Sequence, residues 1–267
     1  MSREARALLD RYLRQRRELG ETELVLGDRS VRELDLGTPP AVPQRENTAP
    51  RPTRQAAPAP PSEAQALALP PALAVIREEA STCTRCRLAT TRTTVVFGEG
   101  DPAARVVVVG EAPGADEDRS GRPFVGRAGK LLDLLLASVG FPRATVYICN
   151  VLKCRPPGNR NPLPDEVELC SPFLRKQLDA IRPAAILACG TFSAQTLLAT
   201  TEPIGQIRKG GERSYQGVPL VPTYHPAALL RNPAWVRLAW EDLQRLRRIV
   251  DRVDGQVPGP SLPPIPA

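Results

Sequence analysis

Four short apolar, β-branched segments alternate with helical patterns along the chain, and this alternation narrows the available folds more than any other feature. The predicted strands are Arg105–Gly110, Thr145–Leu152, Ala184–Gly190 and Val218–Thr223. The predicted helices are Arg127–Val139, Pro164–Ile181, Thr191–Leu198 and Pro233–Val253. Strands that alternate with helices predict a parallel sheet covered on both faces, and near-continuous apolar strands are typical of one. We therefore predict an α/β fold, a three-layer α/β/α sandwich with a central four-stranded parallel sheet.

Proline separates the folded part of this 267-residue chain from its extensions. Many of the 30 prolines lie in Thr38–Pro71 and Val257–Ala267, where few apolar residues are available for a core. We predict an N-terminal helix of unknown role at 1–20, a Pro-rich disordered linker at 21–70, one folded domain at 71–254 and a disordered tail at 255–267. The N-terminal helix carries an apolar stripe, so we expect it to bind an unidentified protein.

The formal net charge of +7 favours a polyanionic partner such as nucleic acid, although charge alone does not decide the partner. The first twenty residues are Arg-rich and lack the apolar centre of a signal peptide. No apolar run is long enough to span a membrane. We therefore predict a cytosolic, monomeric protein without a membrane segment, whose six cysteines stay out of disulfides.

The loop Gly110–Gly129 follows the first predicted strand and opens into a helix, an arrangement typical of phosphate-binding loops. Gly121–Gly126 has the glycine spacing of a P-loop, but Arg127 and Ala128 stand where Lys and Ser or Thr belong. The dinucleotide fingerprint also fails, because Pro113 lies among the glycines that should follow the strand directly. The loop therefore indicates a ligand other than a diphosphate.

The unusual polar residues of the domain follow the carboxyl ends of the predicted strands. Glu111 follows the first strand, Asn150 lies near the end of the second, and His225 follows the fourth. The carboxyl ends of parallel strands meet at one edge of the sheet, where open α/β folds bind their ligands. We therefore predict a single binding site at that edge, which includes the only histidine of the chain.

The cysteines contain one spacing typical of metal binding. Cys83 and Cys86 form a C-x2-C hairpin, which needs two further ligands. Cys154 in a loop and Cys170 on the inward stripe of a helix can converge on that hairpin, although Pro172 predicts a kink or restart in the same helix. Two cysteines lie within predicted strands and are assigned to core packing: Cys149 and Cys189. Four thiolates suit either zinc or an iron–sulfur cluster, and spacing does not choose between them.

Four motifs in this domain are highly specific when taken together. They are Gly110-Glu-Ala-Pro-Gly114, Gly121-x-Pro-Phe-Val-Gly-Arg-Ala-Gly129, Asn150-Val-Leu-Lys-Cys-Arg-Pro-Pro157 and His225-Pro-Ala-Ala-Leu-Leu-Arg231. With the cysteine pattern, they resemble the family 4 uracil-DNA glycosylases, the iron–sulfur branch of the uracil-DNA glycosylase superfamily. The resemblance covers about Thr82–Arg248 and implies a hydrolase that releases uracil from single- or double-stranded DNA and leaves an abasic site. It also implies a 4Fe–4S cluster held by Cys83, Cys86, Cys154 and Cys170.

The resemblance implies roles in base recognition for three residues. His225 donates a hydrogen bond to uracil O2 as negative charge develops there. Asn150 reads the base edge, accepting from N3–H and donating to O4, although its position also suits a strand-end cap. Phe124 stacks on the base once it has been swung out of the duplex, although core packing is the ordinary role of such a residue.

In the loop after the first strand, the resemblance places the backbone of Gly110 and Ala112 closely around the flat base. Related branches carry a water-activating Asp at the position of Ala112. Since alanine cannot activate water, the neighbouring carboxylate of Glu111 is our candidate for water activation. Glu117 would bar the methyl group of thymine. Two further loop carboxylates are interpreted as solvated charges: Asp116 and Asp118.

The helix pattern after the histidine carries the residues assigned to the DNA itself. Leu229 is interpreted as the wedge that enters the space left by the base, and Arg231 as a contact to a DNA phosphate. Ordinary packing of Leu229 together with Leu230 is the alternative for the wedge.

Two other functions compete with uracil excision. One is that of a related uracil-binding branch that forms a covalent adduct with DNA and carries Gln at the position of Ala112 and a histidine-bearing insertion. Ala112, and the absence of histidine between Lys153 and Pro164, argue against it. The other is a non-enzymatic iron–sulfur protein that binds DNA or transfers electrons.

Overall fold

The structure, a computed structural model, describes residues 69–255 and two short strands nearer the N-terminus. These strands, β1 (Val25–Leu26) and β2 (Arg29–Ser30), pair antiparallel and fall within the segment predicted as a linker. The chain divides into two compact units at Pro60, and the strands belong to the first of them. The predicted N-terminal helix at 1–20, most of the predicted linker and nearly all of the predicted tail lie outside the described residues.

The second unit contains eight helices and six strands among its described residues. In chain order they are α1 (Pro71–Ser81), β3 (Glu99–Gly100), β4 (Val106–Gly110), α2 (Ala115–Ser120), α3 (Arg127–Ser138), β5 (Tyr147–Asn150), α4 (Pro164–Ile181), β6 (Ala185–Cys189), α5 (Thr191–Leu198), α6 (Ile204–Ile207), β7 (Arg213–Tyr215), β8 (Val218–Thr223), α7 (Pro226–Arg231) and α8 (Val236–Val253). Each strand and helix predicted above between residues 105 and 253 has a counterpart here. None of these helices is both long enough and apolar enough to cross a membrane.

The strands form one mixed sheet in the order β3-β5-β4-β6-β8-β7. The inner strands β5, β4, β6 and β8 pair in parallel, and the edge strands β3 and β7 pair antiparallel to their neighbours. The α/β class is therefore confirmed, but the predicted four-stranded sheet is corrected to a six-stranded mixed one. The edge strands have only two and three residues and no apolar run, so hydrophobic patterning gave no sign of them.

The core lies on both faces of the sheet. Along β4, Val107 and Val109 face a cluster that contains residues of α1, α4 and α5, whereas Val106 and Val108 face a cluster with residues of α3, α7 and α8. Successive side chains of a strand point to opposite faces, so both faces of a run of four valines are buried. Full burial of one such side chain contributes about 1.5–3 kcal/mol.

Helix α4 runs without a break from Pro164 to Ile181, so the restart expected at Pro172 does not occur. Proline has no N–H for the carbonyl four residues earlier, which here belongs to Glu168. The Ser171 hydroxyl donates to that carbonyl at 3.4 Å and takes up the free acceptor. Cys170 therefore keeps its place on the inward stripe of one continuous helix.

Gly129 fixes how closely α3 packs on the loop that precedes it. A Cβ atom at this position would lie 1.8 Å from the carbonyl oxygen of Phe124, so only glycine fits. We expect Gly129→Ala to destabilise the protein by about 2 kcal/mol or more, although alanine is the better helix former. Urea unfolding measures this change. Gly211→Ala is the matched control, because that Cβ meets no atom within 4 Å; equal effects of the two changes would contradict the packing argument.

Candidate active site

A cleft of ≈ 640 Å³ opens at the carboxyl ends of the inner strands. The structure brings seven of the predicted site residues together in its walls: Glu111, Ala112, Glu117, Phe124, Asn150, His225 and Arg231. Gly110 lies behind them, where a Cβ atom would meet the Asn150 Oδ1 atom at 2.2 Å and the Phe124 ring at 2.6 Å. A second cleft, of ≈ 660 Å³, runs between α6 and α8, shares Tyr224 with the first and contains none of these residues. The predicted site residues therefore lie in the cleft at the strand ends, which we call the edge cleft.

His225 stands at the start of α7, where its side chain caps the helix. The Nδ1 atom accepts a hydrogen bond from the Ala227 backbone N–H at 3.2 Å. Burial, with a smaller contribution from Arg231, lowers the pKa of His225 from 6.5 to about 4. The ring is therefore neutral at physiological pH, and because Nδ1 accepts, its proton lies on Nε2. A neutral imidazole with a free Nε2–H is a hydrogen-bond donor in the edge cleft.

Asn150 ends β5 with its side chain in the wall of the cleft and is 2% exposed. Its Oδ1 atom is buried and has no hydrogen-bond partner. Its backbone carbonyl accepts from the buried Lys153 Nζ at 2.7 Å, which fixes the residue in place. A buried polar atom without a partner costs about 1–3 kcal/mol. The unpaired oxygen therefore points to a ligand that brings an N–H or O–H donor.

The Phe124 side chain belongs both to the core and to the wall of the edge cleft. Its side chain is 5% exposed, packs within the core cluster on the α3 side of the sheet, and also lines the edge cleft. Its ring lies 5.5 Å from the His225 ring, with 29° between the ring planes. The backbone φ of +50° is uncommon for a bulky residue and is a strained conformation. The aromatic face is thus held beside the donor of His225 by its surroundings.

The Glu117 side chain binds the backbone of the loop that lines the cleft. Its carboxylate accepts hydrogen bonds from the backbone N–H groups of Gly114 at 3.1 Å, Val125 at 2.9 Å and Gly126 at 3.1 Å. The side chain therefore ties the two ends of the loop together across α2. Glu111, nearer the strand end, lines the same cleft, and burial raises the pKa of its carboxyl. A carboxylate with a raised pKa is more basic, as water activation requires.

The prediction that Asp118 is a solvated loop charge is wrong, because the residue is buried at 5% exposure. Its carboxylate accepts from the backbone N–H groups of Thr93 at 2.9 Å and Thr94 at 3.3 Å. It thereby anchors α2 to the segment that follows the cysteine hairpin. Asp116 agrees with the prediction, since its side chain is exposed on the same helix.

Leu229 does not lie where a wedge for DNA must lie. The side chain is 1% exposed and packs in the core cluster that joins α7 to α3 and the sheet. The neighbouring Leu230 is 40% exposed. Residues one apart on a helix point about 100° apart, so Leu230 can face solvent while Leu229 packs in the core. Arg231 is exposed at the rim of the edge cleft.

Sequence reasoning missed several residues of the cleft. The Tyr224 and Trp235 rings stack at its rim, with centroids 4.7 Å apart and 17° between planes. The loop after Cys154 adds a second part of the wall through Asn159, Arg160 and Asn161. Their signal in the sequence was present: an Asn-Arg-Asn run between prolines, and a tryptophan at the start of the last predicted helix.

The four candidate cysteine ligands line one small cavity between α1, α4 and the loop after β5. Three sulfur atoms accept hydrogen bonds: Cys83 from the Arg85 Nε–H at 3.4 Å, Cys154 from the Arg92 Nη1–H at 3.4 Å, and Cys170 from the Lys153 backbone N–H at 3.3 Å. Within residues 69–255, no three His, Cys, Asp or Glu side chains are arranged as a single-ion site. Two cysteines are fully buried in strands, as predicted: Cys149 and Cys189.

Together, the unpaired amide, the neutral histidine donor and the aromatic ring define a site for a flat heterocycle with hydrogen-bonding edges on an α/β fold. The family model of the Uracil DNA glycosylase superfamily matches residues 97–244 of this chain. The chain belongs to this superfamily. The resemblance to the family 4 enzymes is also confirmed by the relatives that the chain matches.

Two of these relatives are Type-4 uracil-DNA glycosylases. That of Archaeoglobus fulgidus is 46% identical over 170 residues, which cover 60% of this chain and 83% of the relative. That of Thermotoga maritima is 41% identical over 181 residues, which cover 67% of this chain and 94% of the relative. A Type-5 uracil-DNA glycosylase of Pyrobaculum aerophilum is 38% identical over 165 residues, or 56% of this chain and 72% of the relative.

The lowered pKa of His225 makes stability depend on pH in a definite window. The unfolded chain binds the histidine proton near pH 6.5 and the folded protein only near pH 4. Stability therefore falls as the pH drops from 6.5 towards 4. Below pH 4 both the folded and the unfolded states carry the proton, so this residue causes no further loss. We expect His225→Asn, which keeps a capping side chain, to lose this pH dependence of stability, which amounts to about 3 kcal/mol between pH 6.5 and pH 4. Urea unfolding of both proteins at several pH values measures it; identical pH dependence of the two proteins would contradict it.

Proposed function

We propose that this protein is a uracil-DNA glycosylase that hydrolyses the N-glycosidic bond of deoxyuridine in single- or double-stranded DNA. Water adds at C1′ of the sugar, and the base leaves as an anion that is then protonated, so that an abasic site remains for repair. The observation that carries the proposal is the buried, unpaired Oδ1 atom of Asn150 beside the neutral His225 in one cleft. Membership of the superfamily and the Type-4 relatives support it.

Asn150 is the residue that would distinguish uracil from cytosine. Its Oδ1 atom would accept from N3–H of uracil, and its amide nitrogen would donate to O4. Cytosine presents an acceptor at N3 and an amino group at C4, so both contacts would be mismatched at about 1–3 kcal/mol each.

His225 would supply the group that stabilises the leaving base. Its Nε2–H would donate to O2 of uracil, where negative charge develops as the glycosidic bond breaks. A donor of this kind is worth ~10²–10³ in rate when it is already oriented. The cap to Ala227 orients the ring before substrate binds. The low pKa of His225 keeps the residue neutral, so it acts as a hydrogen-bond donor throughout the reaction.

Three residues of the loop would shape the remainder of the base pocket. Phe124 would stack on the extruded base and contribute ~1–3 kcal/mol towards the cost of flipping. Glu117 would occupy the space that the thymine methyl group needs, since its carboxylate is held in the wall by three backbone donors. Glu111 would activate water, with Ala112 leaving space at the position that holds an Asp in related branches.

The rim of the edge cleft would contact the DNA. We assign the wedge to Leu230, because Leu229 is committed to the core. Arg231 would bind a phosphate next to the extruded nucleotide. Phosphate contacts would fix the register of the protein on DNA, while Asn150 would carry the base specificity.

We also propose that Cys83, Cys86, Cys154 and Cys170 hold a 4Fe–4S cluster. The residues fit this group, because all four sulfurs line one cavity and basic or N–H donors surround it. The cluster would act as a structural link that ties α1 and the hairpin to α4. The predicted cytosolic location, monomeric state and partner of the N-terminal helix stay predictions.

The first test of the function is release of uracil from an oligonucleotide with one deoxyuridine, and Asn150→Asp tests its specificity. An ionised Asp has only acceptors and repels uracil O4, whereas a protonated one can pair with cytosine. We expect uracil excision to fall by about ten- to a hundredfold, because the contact to O4 becomes repulsive while the contact to N3–H is kept, and weak release of cytosine to appear. Single-turnover assays measure both activities.

Asn161→Asp is the matched control, because Asn161 is exposed on the rim of the same cleft. Full uracil activity of Asn150→Asp would show that the base is read elsewhere. The outcome also separates the competing functions: a covalent protein–DNA adduct would identify the adduct-forming branch, and binding of DNA without abasic sites a non-enzymatic protein.

The cluster proposal predicts brown protein that contains iron and sulfide. Cys170→Ser should remove the colour and lower the melting temperature, because a thiolate ligand and the link to α4 are both lost. Cys189→Ser should keep the colour, since Cys189 lies buried in β6, away from the cavity. Visible absorbance and iron and sulfide analysis measure the result. Zinc without iron in the purified protein would overturn the proposal.

A further inference from the structure

We infer that Arg143 is a positioning residue that holds Phe124 in its stacking geometry from outside the edge cleft. The inference rests on the proposed function, in which Phe124 supports the extruded base. Arg143 lies in a single helical turn before β5 and is not part of the cleft wall. None of the sequence motifs that predicted the site contains Arg143.

The Arg143 guanidinium binds the backbone of the loop directly. Nη2–H donates to the Pro123 carbonyl at 2.6 Å, and Nη1–H donates to the Phe124 carbonyl at 3.2 Å. Two consecutive carbonyls are thus bound by one planar cation, a geometry that suits the rigid fork of arginine. Hydrogen bonds from a charged donor are about twice as strong as neutral ones. The two peptide groups that flank the Phe124 Cα atom are therefore restrained together.

The same guanidinium is anchored at its other donors. Nε–H and Nη2–H donate to the Glu99 carboxylate at 3.0 and 2.6 Å, and Nη1–H donates to Asp133 at 2.9 Å. Although burial acts to raise it, hydrogen bonds from Arg122 and Arg143 hold the pKa of Glu99 below its usual value. Glu99 belongs to β3 and Asp133 to α3. The clamp therefore connects the loop to an edge of the sheet and to the following helix.

Phe124 needs such a restraint. Its φ of +50° lies in the left-handed region, which costs a bulky residue about 1–3 kcal/mol unless its surroundings hold it there. Gly129 packs against the other side of the same carbonyl, where a Cβ atom would lie at 1.8 Å. The Phe124 carbonyl is thus fixed between α3 and Arg143. Without Arg143, the peptide can relax to ordinary angles, and the ring would turn away from His225.

The test combines a spectroscopic readout with kinetics. Protein labelled with fluorophenylalanine gives ¹⁹F signals for its five phenylalanines, and Phe124→Leu identifies that of Phe124. We expect Arg143→Ala to shift or broaden this signal in the free protein. We also expect single-turnover uracil excision to fall about ten- to a hundredfold, the value of one base-stacking contact. Affinity for undamaged DNA should change little, because the phosphate contacts lie elsewhere.

Controls separate positioning from general stability. Arg122→Ala removes the other cation from Glu99 while both Arg143 bonds to the carbonyls stay in place, and should leave the Phe124 signal unchanged. Arg143→Lys keeps the charge but not the fork, and should give an intermediate loss; it also serves if Arg143→Ala fails to fold. In a Phe124→Ala background, Arg143→Ala should slow excision no further, since it acts through that ring.

The outcomes distinguish this inference from the proposed function. An unchanged Phe124 signal in Arg143→Ala would overturn the inference whatever the activity of the wild-type protein. Equal slowing in the wild-type and Phe124→Ala backgrounds would overturn it as well. A shifted signal in a wild-type protein that releases no uracil would leave the positioning role intact and refute the glycosylase function instead.

Discussion

Gly110 and Asn150 pair in parallel register at the carboxyl ends of β4 and β5, and the rest of the site is built against this pair. The register places the start of the loop beside the amide that faces the cleft. Because Gly110 has no side chain, the Asn150 oxygen and the Phe124 ring can both occupy the space next to it. Any larger residue would separate the loop from the strand end. The close approach of the Gly110 backbone therefore allows an amide, an aromatic ring and a histidine to line one small cleft.

The charges near the cleft serve mainly to hold its walls. Glu117 is bound to three backbone N–H groups, Asp118 anchors α2 to the segment after the hairpin, and Arg143 binds two carbonyls of the loop. The groups proposed to read the base, Asn150 and His225, are neutral. Neutral donors and acceptors in a partly dry cleft discriminate by hydrogen-bond pattern, since a mismatched partner leaves a buried group unsatisfied.

The segment from Asn150 to Cys154 links the base pocket to the cysteine cavity. Lys153 connects the two: its ammonium donates to the Asn150 carbonyl and to Gln177 of α4, while its backbone N–H donates to the Cys170 sulfur. A side chain that is buried throughout its length needs such partners for its charge. Lys153 therefore connects the cysteine cavity to the strand end that carries the amide.

The sequence by itself determined the inner strands, the helices that alternate with them, the strand-end location of the site and seven of the residues in its walls. These depend on local patterns: apolar runs long enough to be recognised, and polar residues placed directly after them. The tertiary structure alone decided that β3 and β7 complete the sheet, that Asp118 is buried, that Leu230 and not Leu229 is exposed, and that Arg143 holds Phe124. Each of these depends on groups far apart in sequence, such as Glu99 with Arg143, or on which side of a short helix meets the core. Neither local periodicity nor a motif encodes such contacts, because they exist only once the chain is packed.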